Sequence, residues 1–320
     1  MKEKFQKIDL SNMSALFVLI ILCAVMSIIE PAFRTFANMV NILQQVTVMA
    51  VLALGVNLVI FTGGIDISVG SIVAFSGIVM GKIVVEGKMS TFFGVVVALA
   101  IGLVCGAFNG VMIAKFKLQP MIATLAMMSM ARGAALTIAD GQTITGYSES
   151  FRWIGQGTIP GTGFPVQILF MIVLFIVFYY IMKYRKFGRY IYSIGGNEEA
   201  TRLSGINVDK YKIFAYTLSG LCAAIASIIL VAKLNSAQST AGLDYEMDAI
   251  ASCVIGGTSL LGGFGSVWGT FFGAIIMVVI RNGLNLLNVS SNLQKLVVGI
   301  VILLAVLVDS IRHKASVGKK

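Results

Sequence analysis

The sequence predicts an all-α, polytopic membrane protein of about ten transmembrane helices, several of them short or broken. Three observations predict it. Hydrophobic residues make up 58% of the 320 and charged residues 12%, with a mean hydropathy of +0.92, whereas a soluble domain has about 25% charged and 45–50% apolar residues. The charges divide the chain into uncharged runs of span length, such as 10–29, 89–114 and 213–232; about 20 apolar residues cross about 30 Å of hydrocarbon. Glycine supplies 34 residues, above the usual ~7%, as suits helices that approach closely in lipid. A soluble enzyme, a disordered chain and a nucleic-acid binder are poor readings of these numbers.

The elements follow in order. A basic segment, Met1–Lys7, precedes a helix over 13–30; Ile28-Ile29-Glu30-Pro31 is no small-residue cleavage site, so this span is an uncleaved anchor. The uncharged run 35–65 would reach about 47 Å at about 1.5 Å per residue, too long for one span, and yields a helix over 46–62. Thr62-Gly63-Gly64-Ile65-Asp66-Ile67-Ser68-Val69-Gly70-Ser71 then interrupts the apolar pattern. Asp66 and Ser68 can cap the next helix, 67–85. A carboxylate at membrane depth is costly and lies on a protein interior or a water path, so a structural cap and direct contact with a substrate both fit Asp66.

Helix 91–114 carries Gly94, Gly102, Gly106 and Gly110 on one face, a packing stripe. In helix 120–138, Arg132 lies two turns before Asp140 on nearly the same face, which predicts an ion pair near the outer end. The polar loop 140–165, with Arg152-Trp153, is long enough to present a docking surface. Helices 166–183 and 212–232 flank a cytoplasmic loop, 184–211. A second outer loop holds Asp244, Glu246 and Asp248. The run 249–280 is again too long for one span; Gly256, Gly257, Gly262, Gly263 and Gly265 divide it into 247–261 and 266–285, two helices or one and a half-helix around a glycine-rich break. The last helix is 294–310.

Sixteen of the 24 Lys and Arg residues fall at the termini, at 115–117 and at 183–212, which makes that side cytoplasmic, with both termini on it. The basic balance is a topology signal rather than a nucleic-acid footprint. The domain plan is a cytoplasmic segment 1–12, a single transmembrane domain 13–310 and a basic tail 311–320. Cys23, Cys105, Cys222 and Cys253 fall within spans and read as small buried apolar residues. The one histidine, His313, lies in the tail. Neither Gly81-Lys82 nor Gly87-Lys88 completes a phosphate-binding G-x-x-x-x-G-K-[ST], so the chain is expected to hydrolyse no ATP, to be no enzyme and to bind no metal or other cofactor.

The segment Gly188–Lys212 carries both signs of charge and no apolar run. Asn197 is placed as an N-cap, Glu198 and Glu199 in a first turn and Gly205 just past the end, which predicts a two-turn helix over 198–204. Six of the nine tyrosines, Tyr179, Tyr180, Tyr184, Tyr190, Tyr192 and Tyr211, lie on or beside it, as an interfacial belt would. A short rigid helix on a large cytoplasmic loop can dock in a groove of another protein.

Glu199-Ala200-Thr201-Arg202-Leu203-Ser204-Gly205 resembles the E-A-A-x-x-x-G motif of bacterial ABC importer permeases. With GGNEEATRLSGINV around it, TGGIDISVGS upstream, and SAQSTAGLDYEMDAIASCVIGGTSLLGGFGS and Asn282-Gly283-Leu284-Asn285-Leu286-Leu287 downstream, the order and spacing are similar to the ribose-type branch of ABC sugar permeases over about residues 14–310. The resemblance implies a multi-pass permease of the bacterial plasma (inner) membrane. It implies a homodimer, with the pathway at the dimer interface, working with a cytoplasmic ATPase that uses ATP and Mg2+ and with an outer sugar-binding protein. It implies D-ribose as the sugar, with xylose, galactose, arabinose or a furanose-like signal as alternatives. Gly196, Asn197, Glu198, Glu199, Ala200, Arg202 and Gly205 would form the contact with the ATPase. For the translocation path the residues themselves offer Asp66 and uncharged polar groups expected near inner span ends: Ser68, Asn57, Gln44, Gln45, Asn109, Asn282 and Asn285. Each equally suits an interhelical hydrogen bond. An ion-coupled secondary transporter would need a coupling carboxylate or histidine at midplane, for which Asp66 is the one candidate. A scaffold or receptor without transport is the remaining rival.

Overall fold

From Val46 to Phe61 every residue is buried, and this stretch belongs to one helix around which the others are arranged. In the computed structural model the described residues are 10–317, so Met1–Lys7 and Lys319–Lys320 lie outside them. The helices are α1 (Leu10–Ile29), α2 (Phe36–Phe61), α3 (Val69–Gly81, prolonged by a π turn over Lys82–Glu86), α4 (Thr91–Ala114), α5 (Pro120–Ala139), α6 (Glu149–Gln156), α7 (Gln167–Tyr184), α8 (Lys186–Gly196), α9 (Glu198–Leu203), α10 (Val208–Leu234), α11 (Tyr245–Ile255), α12 (Val267–Leu286) and α13 (Ser291–Val317). Two short strands, β1 (Ile144–Thr145) and β2 (Ser236–Ala237), pair antiparallel and tie two outer loops together. A helix apolar on all sides is a buried helix, and α2 is that helix.

All ten expected helices are present. Eight are long and apolar enough to cross a bilayer; the other two are α1 and α11. With 11 residues, α11 spans about 16 Å at 1.5 Å per residue, so it is the half-helix of the glycine-rich run. The chain crosses there as loop 235–244, α11 and the glycine turn 256–265 together. Local sequence sets the ends. Thr35 caps α2 through Asn38 N–H at 3.3 Å, and Ser266 caps α12 through Gly269 N–H at 2.8 Å. Pro120 opens α5. α2 starts ten residues before the expected 46. Its added polar turn is satisfied by protein: Asn38 exchanges two hydrogen bonds with Asn282 of α12, at 3.0 and 2.8 Å.

The glycine stripe of α4 meets α10. Gly102 lies on Gly220, Gly106 on Tyr216 and Thr217, and Gly110 on Ile213, each against backbone. Gly94 meets Met80 and Val84 instead. Such close backbone approach replaces hydrophobic driving force where lipid is the solvent.

The order α2–α5 recurs, upside down, as α10–α13. α2 runs from the outer end to the cytoplasmic one, an extended stretch 62–68 follows, and α3, α4 and α5 alternate from there. α10 runs outward, a non-helical stretch 235–244 of strand β2 and successive turns follows, and α11, α12 and α13 alternate in the opposite sense. Short matches survive in the sequence: Gly64-Ile65-Asp66 before α3 and Gly242-Leu243-Asp244 before α11; Thr91-Phe92-Phe93-Gly94 in α4 and Thr270-Phe271-Phe272-Gly273 in α12; Asn109-Gly110 and Asn282-Gly283 near the ends of those helices. α3 and α11 start beside one another, with Gly242 against Gly70 so closely that neither could carry a side chain. This inverted arrangement with broken helices is one that membrane transport proteins use to build a path.

Gly106→Leu should force α4 from α10, because a Cβ there would collide with the Tyr216 carbonyl and lie 2.9 Å from Thr217 Cα. Overpacking of this kind costs about 1–3 kcal/mol or more. A lowered thermal midpoint in detergent, set against an unchanged one for Gly133→Ala, where nothing lies within 4 Å, is the expected result.

Candidate functional site

The short cytoplasmic helix is built as its sequence dictates. Asn197 Oδ1 accepts the Ala200 N–H at 2.9 Å, and Glu198 and Glu199 occupy the first turn of α9. At the other end Gly205 has φ +81°. Its N–H bonds the Arg202 carbonyl at 3.0 Å and the Ile206 N–H bonds the Thr201 carbonyl at 3.4 Å, the paired closure that a left-handed residue allows. Thr201 faces inward, while Glu199, Ala200, Arg202 and Gly205 are exposed. Leu203 is 84% exposed, an apolar knob on a charged face. Ion pairs brace the helix: Arg202 to Glu198 and to Asp209, each at 3.1 Å, Lys212 to Glu198, and Lys117 of the α4–α5 turn to Asp209 at 2.9 Å. Burial pushes the Glu198 carboxyl up, but Lys212 and Arg202 outweigh it and hold it below the usual carboxylate range. The brace is therefore complete at neutral pH and is lost only as pH falls through that lowered value.

The root of α9 is a junction of glycines. Gly195 and Gly196 end α8, Gly63 follows α2, and Gly262 and Gly263 form the turn between α11 and α12. A Cβ on Gly262 would lie 2.7 Å from Gly63 N and 3.0 Å from Gly195 Cα; one on Gly263 would lie 2.7 Å from Gly196 N. Gly195 meets the Phe61 carbonyl and Gly263 N as closely. The Gly263 N–H bonds the Phe61 carbonyl at 3.1 Å, Tyr192 Oη donates to the Gly265 carbonyl at 3.0 Å, and the Tyr192 and Phe61 ring centres lie 4.7 Å apart with the planes tilted by 41°. Three chain breaks thus touch backbone to backbone at the cytoplasmic end of the membrane core.

Above the junction, Asp66 is 0% exposed. One oxygen accepts the Ser68 N–H at 3.0 Å and hydroxyl at 2.6 Å; the other accepts the Ser219 hydroxyl at 2.8 Å. Asn109 donates to the Ser68 hydroxyl at 2.9 Å. The carboxylate therefore shapes the turn into α3 and ties it to α4 and α10. Asn57 is equally buried and reaches the Ser266 carbonyl. The remaining candidates lie elsewhere than expected: Gln44, Gln45, Asn282 and Asn285 sit toward the outer ends of α2 and α12, since these helices start and finish beside Asn38 and Gln294, opposite α9. Asn285 is exposed and Gln44 half-buried.

Two charged groups behave differently from their sequence reading. Arg132 pairs not with Asp140 but with the carbonyls of Ser239 and Ala241, at 2.6 and 2.8 Å; the turns before α11 descend alongside α5 and bring those carbonyls to it. Asp248 is no outer-loop charge either. It is 1% exposed inside α11 and grips Arg281 of α12 at 2.8 and 2.6 Å. Glu246 lies against Gly70, and Asp244 pairs with Lys295 of α13 at 2.8 Å. The sequence carried a signal for the Asp248–Arg281 pair, since an isolated arginine ends an uncharged run of span length and needs a partner.

Comparison with known proteins agrees with this architecture. A family described as "Branched-chain amino acid transport system / permease component" matches residues 38–306. The ribose import permease protein RbsC of Escherichia coli strain K12 is 49% identical over 97% of this chain and 97% of its own length. RbsC of Bacillus subtilis strain 168 is 44% identical over 92% and 90%, and the L-arabinose transport system permease protein AraH of Escherichia coli strain K12 is 38% identical over 93% and 89%. No solved structure matches. With five sixths of its length inside the matched region and relatives of this identity covering nearly all of it, the chain belongs to the family of transport-system permease components, and it is a multi-pass membrane protein of that family.

Proposed function

We propose that the chain is the permease of an ABC importer for D-ribose, acting as a homodimer with a cytoplasmic ATPase and an outer sugar-binding protein. The capped, braced helix α9, rooted on the glycine junction, carries the reading: it offers Leu203 and the exposed side of Glu199–Gly205 to a groove of the ATPase. The near-complete likeness to ribose import permeases supports the sugar. ATP and Mg2+ are bound by the ATPase in this reading, and the chain itself holds no cofactor. The outer partner meets loop 140–165 with α6, where Trp153 is exposed. The sugar passes the face where Arg132 joins α5 to the turns 238–244 before α11, whose exposed groups include Ser129, Gln238 and Thr240. Asp66 and Ser68 serve this path by holding the turn into α3, and Asn57 by holding the start of α12, rather than by touching sugar, while Gln44, Asn282 and Asn285 lie toward the outer ends of α2 and α12, with Asn282 bonded to Asn38.

ATP hydrolysis by the purified complex, measured with candidate binding proteins loaded with ribose, xylose, galactose or arabinose, tests the function. Stimulation by the ribose-loaded protein is expected. Stimulation by the arabinose-loaded protein alone would replace the sugar, and uptake that survives ATP depletion at constant ion gradient would remove the ABC mechanism.

Gly205→Val places a branched side chain at a left-handed position. That costs about 1–2 kcal/mol, a factor of roughly 5–30 in the population of the formed helix. The variant should insert and dimerise but lose the ATPase on co-purification, with a parallel fall in uptake; normal retention with normal uptake would sink the docking role of α9. Gly262→Ala should instead keep the ATPase bound and hydrolysing while sugar uptake falls, because the fault lies above the docking surface. Asp66→Ala strands the Ser68 N–H and Ser219 hydroxyl without an acceptor, at about 1–3 kcal/mol each, and should lower the thermal midpoint more than Asp66→Asn, which keeps one acceptor oxygen.

A further inference from the structure

The cytoplasmic end of α7 gathers four cations that no carboxylate answers. Lys183, Arg185, Lys186 and Arg189 fall within seven residues and are all exposed, and the sequence has no Asp or Glu between Glu149 and Glu198. Among the described residues none of the four enters an ion pair, whereas Lys117, Arg202 and Lys212 on the same side of the molecule are all paired. Tyrosines order the cluster instead. Lys183 Nζ donates to Tyr179 Oη at 2.6 Å and lies 5.1 Å from the Tyr179 ring centre and 5.6 Å from that of Tyr184. The Arg185 guanidinium lies 5.2 Å from the Tyr180 ring centre. Gly188 packs on the Met182 carbonyl with no room for a side chain, which fixes the elbow between α7 and α8.

The depth of this cluster is set by the helix that carries it. Tyr179, Tyr180 and Tyr184 occupy the last turns of an apolar span, at the level where aromatic rings mark the membrane–water boundary. On the lipid side of them Ile172, Val173, Ile176 and Val177 of α7 are exposed. The cations thus sit at headgroup level, directly below a bare apolar wall.

We propose that the α7–α8 elbow is a binding site for an anionic phospholipid of the inner leaflet. The phosphodiester lies among Arg185, Lys186 and Arg189, and the acyl chains lie on the exposed face of α7. Lysine and arginine without counter-ions next to a span attract such lipids, each charge adding to the last. The tyrosine rings hold the cations apart and keep Lys183 and Arg185 from collapsing onto backbone carbonyls. A free phosphate ion would satisfy the charge but not the apolar wall, so a lipid is the ligand that matches both halves of the site. Because α8 leads straight into Gly195–Gly196 and α9, the lipid anchors the elbow from which the cytoplasmic helix projects.

Trp268 gives the test its reporter. Its ring lies 5.9 Å from Tyr179 and 6.3 Å from Phe175 of α7, and Trp153→Phe leaves it the only tryptophan of the chain. The permease carrying that change, in vesicles of phosphatidylcholine with a fifth of the lipid replaced by brominated phosphatidylglycerol or brominated phosphatidylcholine, should be quenched more by the anionic lipid. Lys183→Gln, Arg185→Gln, Lys186→Gln and Arg189→Gln together should abolish the excess. Each cation is expected to contribute about a fivefold change in affinity, so the double variants Lys183→Gln/Arg185→Gln and Lys186→Gln/Arg189→Gln should each lose part of it. These doubles carry the test if the quadruple variant fails to insert. Lys115→Gln, another cytoplasmic cation, should change nothing. Equal quenching by the two lipids, or an excess that survives in the variants, would overturn the proposal. Displacement of the excess by inorganic phosphate would assign the site to a soluble anion, and its disappearance on adding the ATPase subunit would assign the patch to that protein; either result overturns the lipid.

Discussion

A backbone N–H or C=O inside a bilayer has no water to turn to, so each place where a helix breaks within the membrane core must be closed by protein. Much of this molecule is an answer to that demand. The return of the chain from the cytoplasmic end of α2 into α3 is held by Asp66, which takes up the Ser68 N–H and binds Ser219 across to α10. The descent from α10 into α11 is held by Arg132, which covers the Ser239 and Ala241 carbonyls from α5. The turn between α11 and α12 places the Gly263 N–H on the Phe61 carbonyl. In the first case an acid meets donors and in the second a cation meets acceptors, so the charges at membrane depth follow from the polarity of the backbone each must satisfy.

Glycine supplies the other half of that closure. Where two chain breaks must satisfy each other, any side chain between them would separate the groups that need to meet. The junction of Gly63, Gly195, Gly196, Gly262 and Gly263 is therefore tight without being apolar, and it lies where the short helix on the cytoplasmic side is rooted. The α4–α10 contact uses the same residue for a different end, the approach of two unbroken helices.

Span positions were legible in the sequence because charge is rare enough here for its gaps to be measured. Helix α9 was legible to within one residue, ending at Leu203 rather than 204, since Asn197 and Gly205 are local signals that depend on nothing distant. What escaped was whatever depends on depth. Asp248 reads as an outer charge until α11 is known to begin inside the membrane, and Arg132 reads as the partner of Asp140 until the stretch before α11 is known to descend beside it. Gln44 and Asn282 read as inner-end groups yet sit toward the outer ends of α2 and α12, because polarity marks a contact without saying at which level it lies. The inverted repeat left only scattered matches such as Thr91-Phe92-Phe93-Gly94 and Thr270-Phe271-Phe272-Gly273, as expected where packing, not sequence, preserves the half-fold.

The position of α7 has a consequence of parity. Each half of the repeat, α2–α5 and α10–α13, makes four passages, and an even number returns the chain to the side from which it started. Two such halves joined directly would lie the same way up. α7 adds one passage between them, and that odd passage turns the second half over. α7 packs mainly on α2, α8 and α12 and exposes much of its own surface, so its contribution to the core is small beside its contribution to handedness: a helix that could be spared by the packing is the one on which the antiparallel relation of the two halves rests.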